Sequence, residues 1–217
     1  MSVQDSDKAT AAAAASERGT DQRELPAEHA LLGLLSLAGG TAHGYDLARQ
    51  FRRDQPLGEV IRLEPAMLYK HLKKLARLGW LTMTTEDQAP RPPRQICHLT
   101  SSGDAELRRW LGEPVARTRE IRLEFLVKLY FAMHLAPELA LRLATEQRAV
   151  MWQLSSSLAA QRAALHVPAT AGPGDDLFFQ DLVLDLRLRQ THAAAEWLDQ
   201  AVSMLKAGQD AAASVAT

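Results

Sequence analysis

Between Pro65 and Gly79 the chain spells a helix with two opposed faces, a segment that few folds can use. Proline suits the first helical turn, where its missing N–H is not needed, and glycine just past the last turn permits a left-handed exit. At 100° per residue, Leu68, Leu72 and Leu75 fall within roughly 40° of a common direction. Ala66, Lys70, Lys73 and Arg77 fall on the other side, flanked by Tyr69 and Lys74, and no acidic residue follows Glu64 in the stretch. The leucines can dock the helix on its own domain. The cations are then either a solvated face, the ordinary fate of a charge run, or a surface that displaces counterions from phosphates and reaches base edges in a major groove.

The flanking segments favour the second reading. Ala30, Leu31, Leu34, Leu35 and Leu37 make residues 27–38 a strongly apolar helix, preceded by Pro26 and ended by Gly39-Gly40. A second helix is predicted at about 45–53, with Leu47 and Phe51 four apart on one face, and Gln55-Pro56-Leu57-Gly58 is read as its break. After the Pro65 helix, residues 80–84 and 94–99 read as two short strands joined by a polar, proline-rich loop at 86–93. Arg91 and Arg94 bracket the tip of this hairpin, where they either are solvated or reach the backbone or an adjacent minor groove. Thr100 is placed to cap a fourth helix through Trp110-Leu111. Helix, helix, helix, hairpin, helix is the order of a winged helix-turn-helix.

The rest reads as helix at 120–134, 137–165 and 175–205, with a Pro- and Gly-rich separator at 168–174. In the second of these, Leu139, Leu143, Val150, Leu154, Leu158 and Leu165 form a sustained seam, and the last carries a broad apolar stripe from Leu177 to Leu205. Each buried leucine contributes on the order of 2 kcal/mol, so such surfaces would support association of two copies. A dimer would also set paired recognition helices one DNA turn, roughly 34 Å, apart. The expected class is mainly α. Residues 1–25 are expected as an Ala-rich disordered tail, 26–112 as a winged helix-turn-helix of three helices and a two-stranded wing, 113–207 as a helical dimerisation domain, and 208–217 as a flexible tail.

Charge and composition narrow the function. A hydrophobic share of 47% with only 6% aromatics fits an aliphatic, helical core. The net charge of −1 hides a distribution: residues 27–111 carry twelve Lys and Arg against nine Asp and Glu, while the segments on either side are acidic. Cys97 is the only cysteine, so neither an internal disulfide nor a multi-cysteine zinc site can form. No apolar run approaches the roughly 20 residues of a membrane span, and the N-terminus lacks a signal-peptide pattern, so a cytoplasmic protein without a membrane partner is expected. An enzyme is not expected. Cys97 and His98 are neighbours in a strand and point to opposite faces. The seven histidines have no metal-ligand spacing, and no glycine-rich phosphate loop is present. Neither cofactor nor metal is anticipated. Trp152 and Trp197 are read as core or interface residues rather than as a ligand site.

Several of these segments together resemble the PadR family of regulators. His43-Gly44-Tyr45-Asp46-Leu47 is similar to the start of its second helix, and residues 65–75, with the Leu68-Tyr69 pair, to its recognition helix. Leu78-Gly79-Trp80-Leu81, the wing exit from Arg94 to Thr100 with Gly103, and residues 124–132 resemble further family segments. The chain departs at Ala66-Met67, where the family often has Gly-Thr, at Lys70, where it often has Pro, and at Ile96-Cys97, where paired tyrosines are common. The likeness covers about residues 27–205. It implies a winged-helix homodimer that represses promoters at inverted-repeat operators, some members releasing DNA on binding small aromatic or cationic compounds. The DNA-contacting residues expected here are Tyr69, Lys70, Lys73, Lys74, Arg77, Arg91 and Arg94. The alternative is a winged helix turned protein-interaction module, although such domains usually lose the cationic face that this helix keeps.

Overall fold

Helix α1 (Leu25–Leu37) is apolar on almost every side, and a helix of that composition has to be surrounded by its own domain. Leu31, Leu32 and Leu35 are wholly buried. The computed structural model describes residues 25–88, 91–165, 167, 172 and 175–215. The chain divides after Leu107 into two compact units.

In the first unit α1 is followed by β1 (Thr41–His43), α2 (Gly44–Arg49), α3 (Pro56–Val60), α4 (Pro65–Arg77), β2 (Leu81–Gln88), β3 (Arg91–Leu99) and α5 (Ser101–Leu111), the last of which contains the division. Gly39 and Gly40 take φ of 73° and 91°, so the chain reverses out of α1 in a conformation that side chains resist. The three strands form an antiparallel sheet in the order β1-β3-β2. Thr41 pairs with His98 on one side of β3, and Leu81 with Leu99 on the other. Thr100 caps α5 as expected: its Oγ1 accepts the Gly103 N–H at 3.1 Å and donates to the Gly79 carbonyl at 2.7 Å.

Four features differ from the sequence reading of this unit. The segment at 41–43 is a third strand, too short to carry a periodicity. The second helix stops at Arg49. The expected break at Pro56 is instead a short helix, with Pro56 in its first turn and Leu57 buried. Gly58 is there because a Cβ would lie 1.8 Å from the Arg52 carbonyl oxygen. Lastly, the wing strands run on into the segment read as a loop, as far as a Gln88–Arg91 pair, with an irregularity between Glu86 and Gln88.

The second unit holds α6 (Thr118–Glu120), a π-helical turn (Ile121–Phe125), α7 (Leu126–Leu135), α8 (Pro137–Ala164) and α9 (Asp176–Val215). The widened turn, which no periodicity announces, carries Ile121 and Phe125 into the core, where Phe125 meets Trp197 edge-on at 6.2 Å. Contacts pairing residue 162 with 181, 152 with 199 and 137 with 209 make α8 and α9 antiparallel. Their shared core is Leu143, Ala144, Met151, Ala195, Leu198 and Val202. Of the expected α8 seam, Leu143 and Leu158 are buried and Leu139, Val150 and Leu154 pack half-buried against the core, while buried Gln147 takes a central place that the seam did not include. Its amide accepts from the Val115 N–H at 2.6 Å and donates to the Val115 carbonyl at 2.8 Å, so no polar group is left bare. Buried Lys128 donates to the Glu113 carbonyl at 2.5 Å, lies 3.3 Å from Glu124, and sits over the Trp110 ring. Burial holds its pKa below the usual lysine value, against the pull of Glu124.

Helix α9 continues to Val215, through most of the segment read as a flexible tail. The tail expected at 1–25, apart from Leu25, and most of the separator at 168–174 lie outside the described residues. Among the described residues no helix is long and apolar enough to cross a membrane.

The close approach at Gly58 can be tested against a glycine with room around it. Gly58→Ala is expected to lower stability by about 1–3 kcal/mol through overpacking. Gly208→Ala, in α9 with nothing within 4 Å of the added methyl, should raise it by about 0.5–1 kcal/mol, the helix preference for alanine. Thermal denaturation of the two variants reads the opposite signs directly.

Candidate nucleic-acid interface

Helix α4 is bounded by the signals its sequence carries. Pro65 stands in the first turn after an extended Glu64, and the Leu68 N–H reaches back to the Glu64 carbonyl at 2.9 Å. At the other end Gly79 has φ of 73°. Its N–H bonds to Ala76, and that of Trp80 to Leu75 at 3.0 Å, a Schellman exit that satisfies the last carbonyls.

Leu68, Leu72 and Leu75 are fully buried, whereas Ala66, Lys70, Lys73 and Arg77 are exposed. Spaced three and four apart, the three cations occupy one outward face. Met67, also exposed, extends that surface toward the start of the helix.

Tyr69 is half-buried at its border. A methyl group on Gly44 would come within 3.1 Å of the Tyr69 ring and hydroxyl, so the bare backbone at the start of α2 is the seat of this side chain. That contact ties α2 to α4 and makes Tyr69 a positioning residue as much as a candidate contact.

Lys74 departs from the expectation. Its Nζ lies 3.0 Å from Glu28, and His71 Nδ1 is 3.1 Å from the same carboxylate oxygen. Glu28 is 1% exposed and Lys74 22%. A buried carboxylate requires a compensating charge and hydrogen bonds, and Lys74 supplies the charge from one turn along the helix. It is therefore directed to its own domain and leaves the cationic face. Nothing in the helical spacing announces this, because the partner stands more than forty residues earlier; the signal that could have found it is a lone acid in the otherwise apolar α1. His29, its neighbour, makes a second polar anchor, 2.9 Å from Glu106.

In the wing, exposed Arg94 stands opposite Glu86 across the β2–β3 ladder. The Arg91 side chain lies outside the described residues; its backbone pairs with Gln88. One surface residue was overlooked in the sequence: Tyr45, at the start of α2, is 69% exposed. The motif His43-Gly44-Tyr45 carries the family resemblance but no sign of this accessibility.

Cys97 and His98 do not form a reactive couple. Cys97 is wholly buried, and burial pushes its thiol up to about 11. His98 faces the other way and bridges the sheet, 3.2 Å from Thr41 Oγ1 and 3.0 Å from Thr84 Oγ1. Among the described residues no group of three His, Cys, Asp or Glu could hold a metal ion.

A helical core whose α4 precedes an antiparallel wing defines a winged helix-turn-helix protein. Residues 31–109 match the transcriptional regulator PadR-like family, and residues 121–206 match the family described as virulence activator alpha C-term. Residues 31–109 are thus a PadR-like domain, of the kind found in transcriptional regulators. It is 29% identical over 184 residues to the negative transcriptional regulator PadR of Bacillus subtilis (strain 168), covering 82% of this chain and 96% of that protein. It is 35% identical over 91 residues to the probable transcriptional regulator Rv1176c of Mycobacterium tuberculosis, covering 42% of this chain and 46% of that one. Among solved structures, B. subtilis PadR in complex with operator DNA is similar at 28% identity and a TM-score of 0.39, over 82% of this chain and 98% of that one. The same protein in complex with p-coumaric acid is similar at 28% identity and a TM-score of 0.36, over 83% and 99%.

The anchor beneath α4 generates a prediction. Glu28→Gln keeps the shape but strips the charge that Lys74 needs. The expected loss is about 2 kcal/mol, less than the ~3–5 kcal/mol of a fully buried broken pair because Lys74 retains some water. Urea denaturation measures it, and an unchanged midpoint would show the pair to contribute nothing.

Proposed function

We propose that the protein is a homodimeric repressor that binds an inverted-repeat DNA operator and is released by a small-molecule effector. The observation that carries this reading is the outward set Lys70, Lys73 and Arg77, backed by the buried ridge Leu68, Leu72 and Leu75. In a major groove these cations neutralise phosphates or reach guanine edges. Arg94 and Arg91 of the wing take the flanking backbone or minor groove, and Tyr69 and exposed Tyr45 donate hydroxyls to phosphates beside them. Lys74 is left out of this set, since it pairs with Glu28.

The dimer is supported by α9. Phe179 is 66% exposed, Leu186 56% and Met204 65%, and with Leu182, Val183 and Trp197 they fall on one side of the helix at 100° per residue. Fully covering such a side chain is worth about 1.5–3 kcal/mol, and a second copy of the same stripe is the natural cover. Two-fold symmetry then sets two α4 helices on successive turns of one DNA face.

Repression is favoured by the B. subtilis relative, a negative regulator related over nearly its whole length. That protein has been crystallised with operator DNA and with p-coumaric acid, which supports assigning this chain an operator and an effector as well. A repressor acting on DNA in this way would work in the cytoplasm.

The test uses DNA from upstream of the protein's own gene. Replacing Lys70, Lys73 and Arg77 by Ala is expected to weaken binding at least about 100-fold at moderate salt while sedimentation still shows a dimer. Wild-type affinity should fall steeply with salt, and the variant's slope should be shallower by up to about 5, for six cations per dimer at ~0.9 each. Equal affinities, or a flat salt response in the wild type, would point to a protein partner instead.

A further inference from the structure

The first turn of α4 presents a surface unlike that of the turns after it. Ala66 and Met67 are both exposed, and neither side chain forms ordinary hydrogen bonds. At 100° per residue Ala66 falls within about 15° of the mean direction of Lys70, Lys73 and Arg77, in the middle of the outward face. Met67 stands about 90° round from that direction, on one edge of the face. Its unbranched side chain is long and adaptable enough to cover what lies beside Ala66. Tyr69 holds the opposite edge, its ring against Gly44. Single exposed apolar residues are ordinary on a protein surface. What marks this pair is its place, ahead of the cations on the helix that carries them.

That order matters in a major groove. A recognition helix of this motif contacts base edges with its N-terminal residues, so Ala66 and Met67 reach the base pairs before Lys73 and Arg77 do. The one apolar group that projects into the groove is the thymine C5-methyl; the other distinguishing groups are hydrogen-bond donors or acceptors. An alanine or methionine set against guanine O6, adenine N6 or cytosine N4 would displace water from a polar atom and return no hydrogen bond. Against the thymine methyl both surfaces are apolar, and the contact takes hydrocarbon out of water on each side. Attraction to thymine and rejection of the other three bases therefore come from the same two side chains.

We infer that Ala66 and Met67 form an apolar reading head that selects thymine, through its C5-methyl group, at one position in each half of the operator. This head presupposes the DNA binding proposed above and adds a base preference to it. The cations behind it supply affinity that does not depend on that base.

The experiment enriches duplexes from a random pool with the full-length protein, then remakes the enriched duplex with each thymine in turn replaced by uracil, which lacks only the methyl group. Fluorescence anisotropy reads the affinities. The wild type is expected to lose about fourfold when one particular thymine of a half-site is replaced, and about fifteenfold when its symmetry mate is replaced too, at about 0.8 kcal/mol for each methyl group. Protein carrying Ala66→Gly and Met67→Ala should bind the thymine and uracil forms equally. Met67→Ala alone keeps a good helix former in place, so it should fold even if the double variant does not, and it should narrow the difference. A thymine preference that is the same in the wild type and in both variants would overturn the reading head. So would a wild type that binds the enriched duplex and is indifferent to every uracil, an outcome that leaves the DNA-binding reading intact. A protein that enriches no sequence from the pool would remove that reading and the head with it.

Discussion

The burial of one leucine ridge organises the first unit. Leu68, Leu72 and Leu75 seat α4 against α1, α2 and β2, and a helix seated that way must turn Lys70, Lys73 and Arg77 outward. The outward cations are thus a consequence of packing, not of a separate device. The apolar α1 has to be enclosed, α4 is one of the elements enclosing it, and the price of enclosure is a face left to water or to phosphate.

Polar anchors then set the position of that face more closely than apolar contact could, because hydrocarbon surfaces slide and hydrogen bonds do not. Glu28 holds α4 through His71 and Lys74, Gly44 receives the ring of Tyr69, and His98 bridges the threonines on either side of β3. The second unit is built on the same plan. Gln147 clamps the backbone at Val115, Lys128 is satisfied by Glu113 and Glu124, and Arg162 locks the ends of α8 and α9 through Asp181 and Asp185. The Arg162 hydrogen bonds hold Asp181 below the usual carboxylate range.

What could be read from the sequence was what is local. The bounds of α4 followed from Pro65 and Gly79, its two faces from helical spacing, and the cap of α5 from Thr100. The elements that escaped are those whose cause lies elsewhere in the chain. Strand β1 exists because β3 pairs with it, and three residues cannot announce a partner. Pro56 and Gly58 looked like breakers, yet Pro56 begins a helix and Gly58 is shaped by contact with Arg52. The wing runs through prolines that argue against strand, and the π-helical turn at Ile121–Phe125 leaves no mark in the helical spacing, since residues four apart share a face in an ordinary α-helix as well. At the candidate site the same division holds. Lys70, Lys73 and Arg77 were legible as a face, whereas the diversion of Lys74 depended on Glu28, and the accessibility of Tyr45 on how α2 leaves the sheet.

The central claim is that α4 meets DNA through its outward cations. Lysine methylation with and without DNA from upstream of the gene, read residue by residue by mass spectrometry, tests it without altering the protein. Lys70 and Lys73 are predicted to react in the free protein and to be shielded on DNA. Lys74 should react slowly in both states, and exposed Lys206 of α9 equally in both. Shielding of Lys206 with Lys70 and Lys73 left reactive would contradict the account.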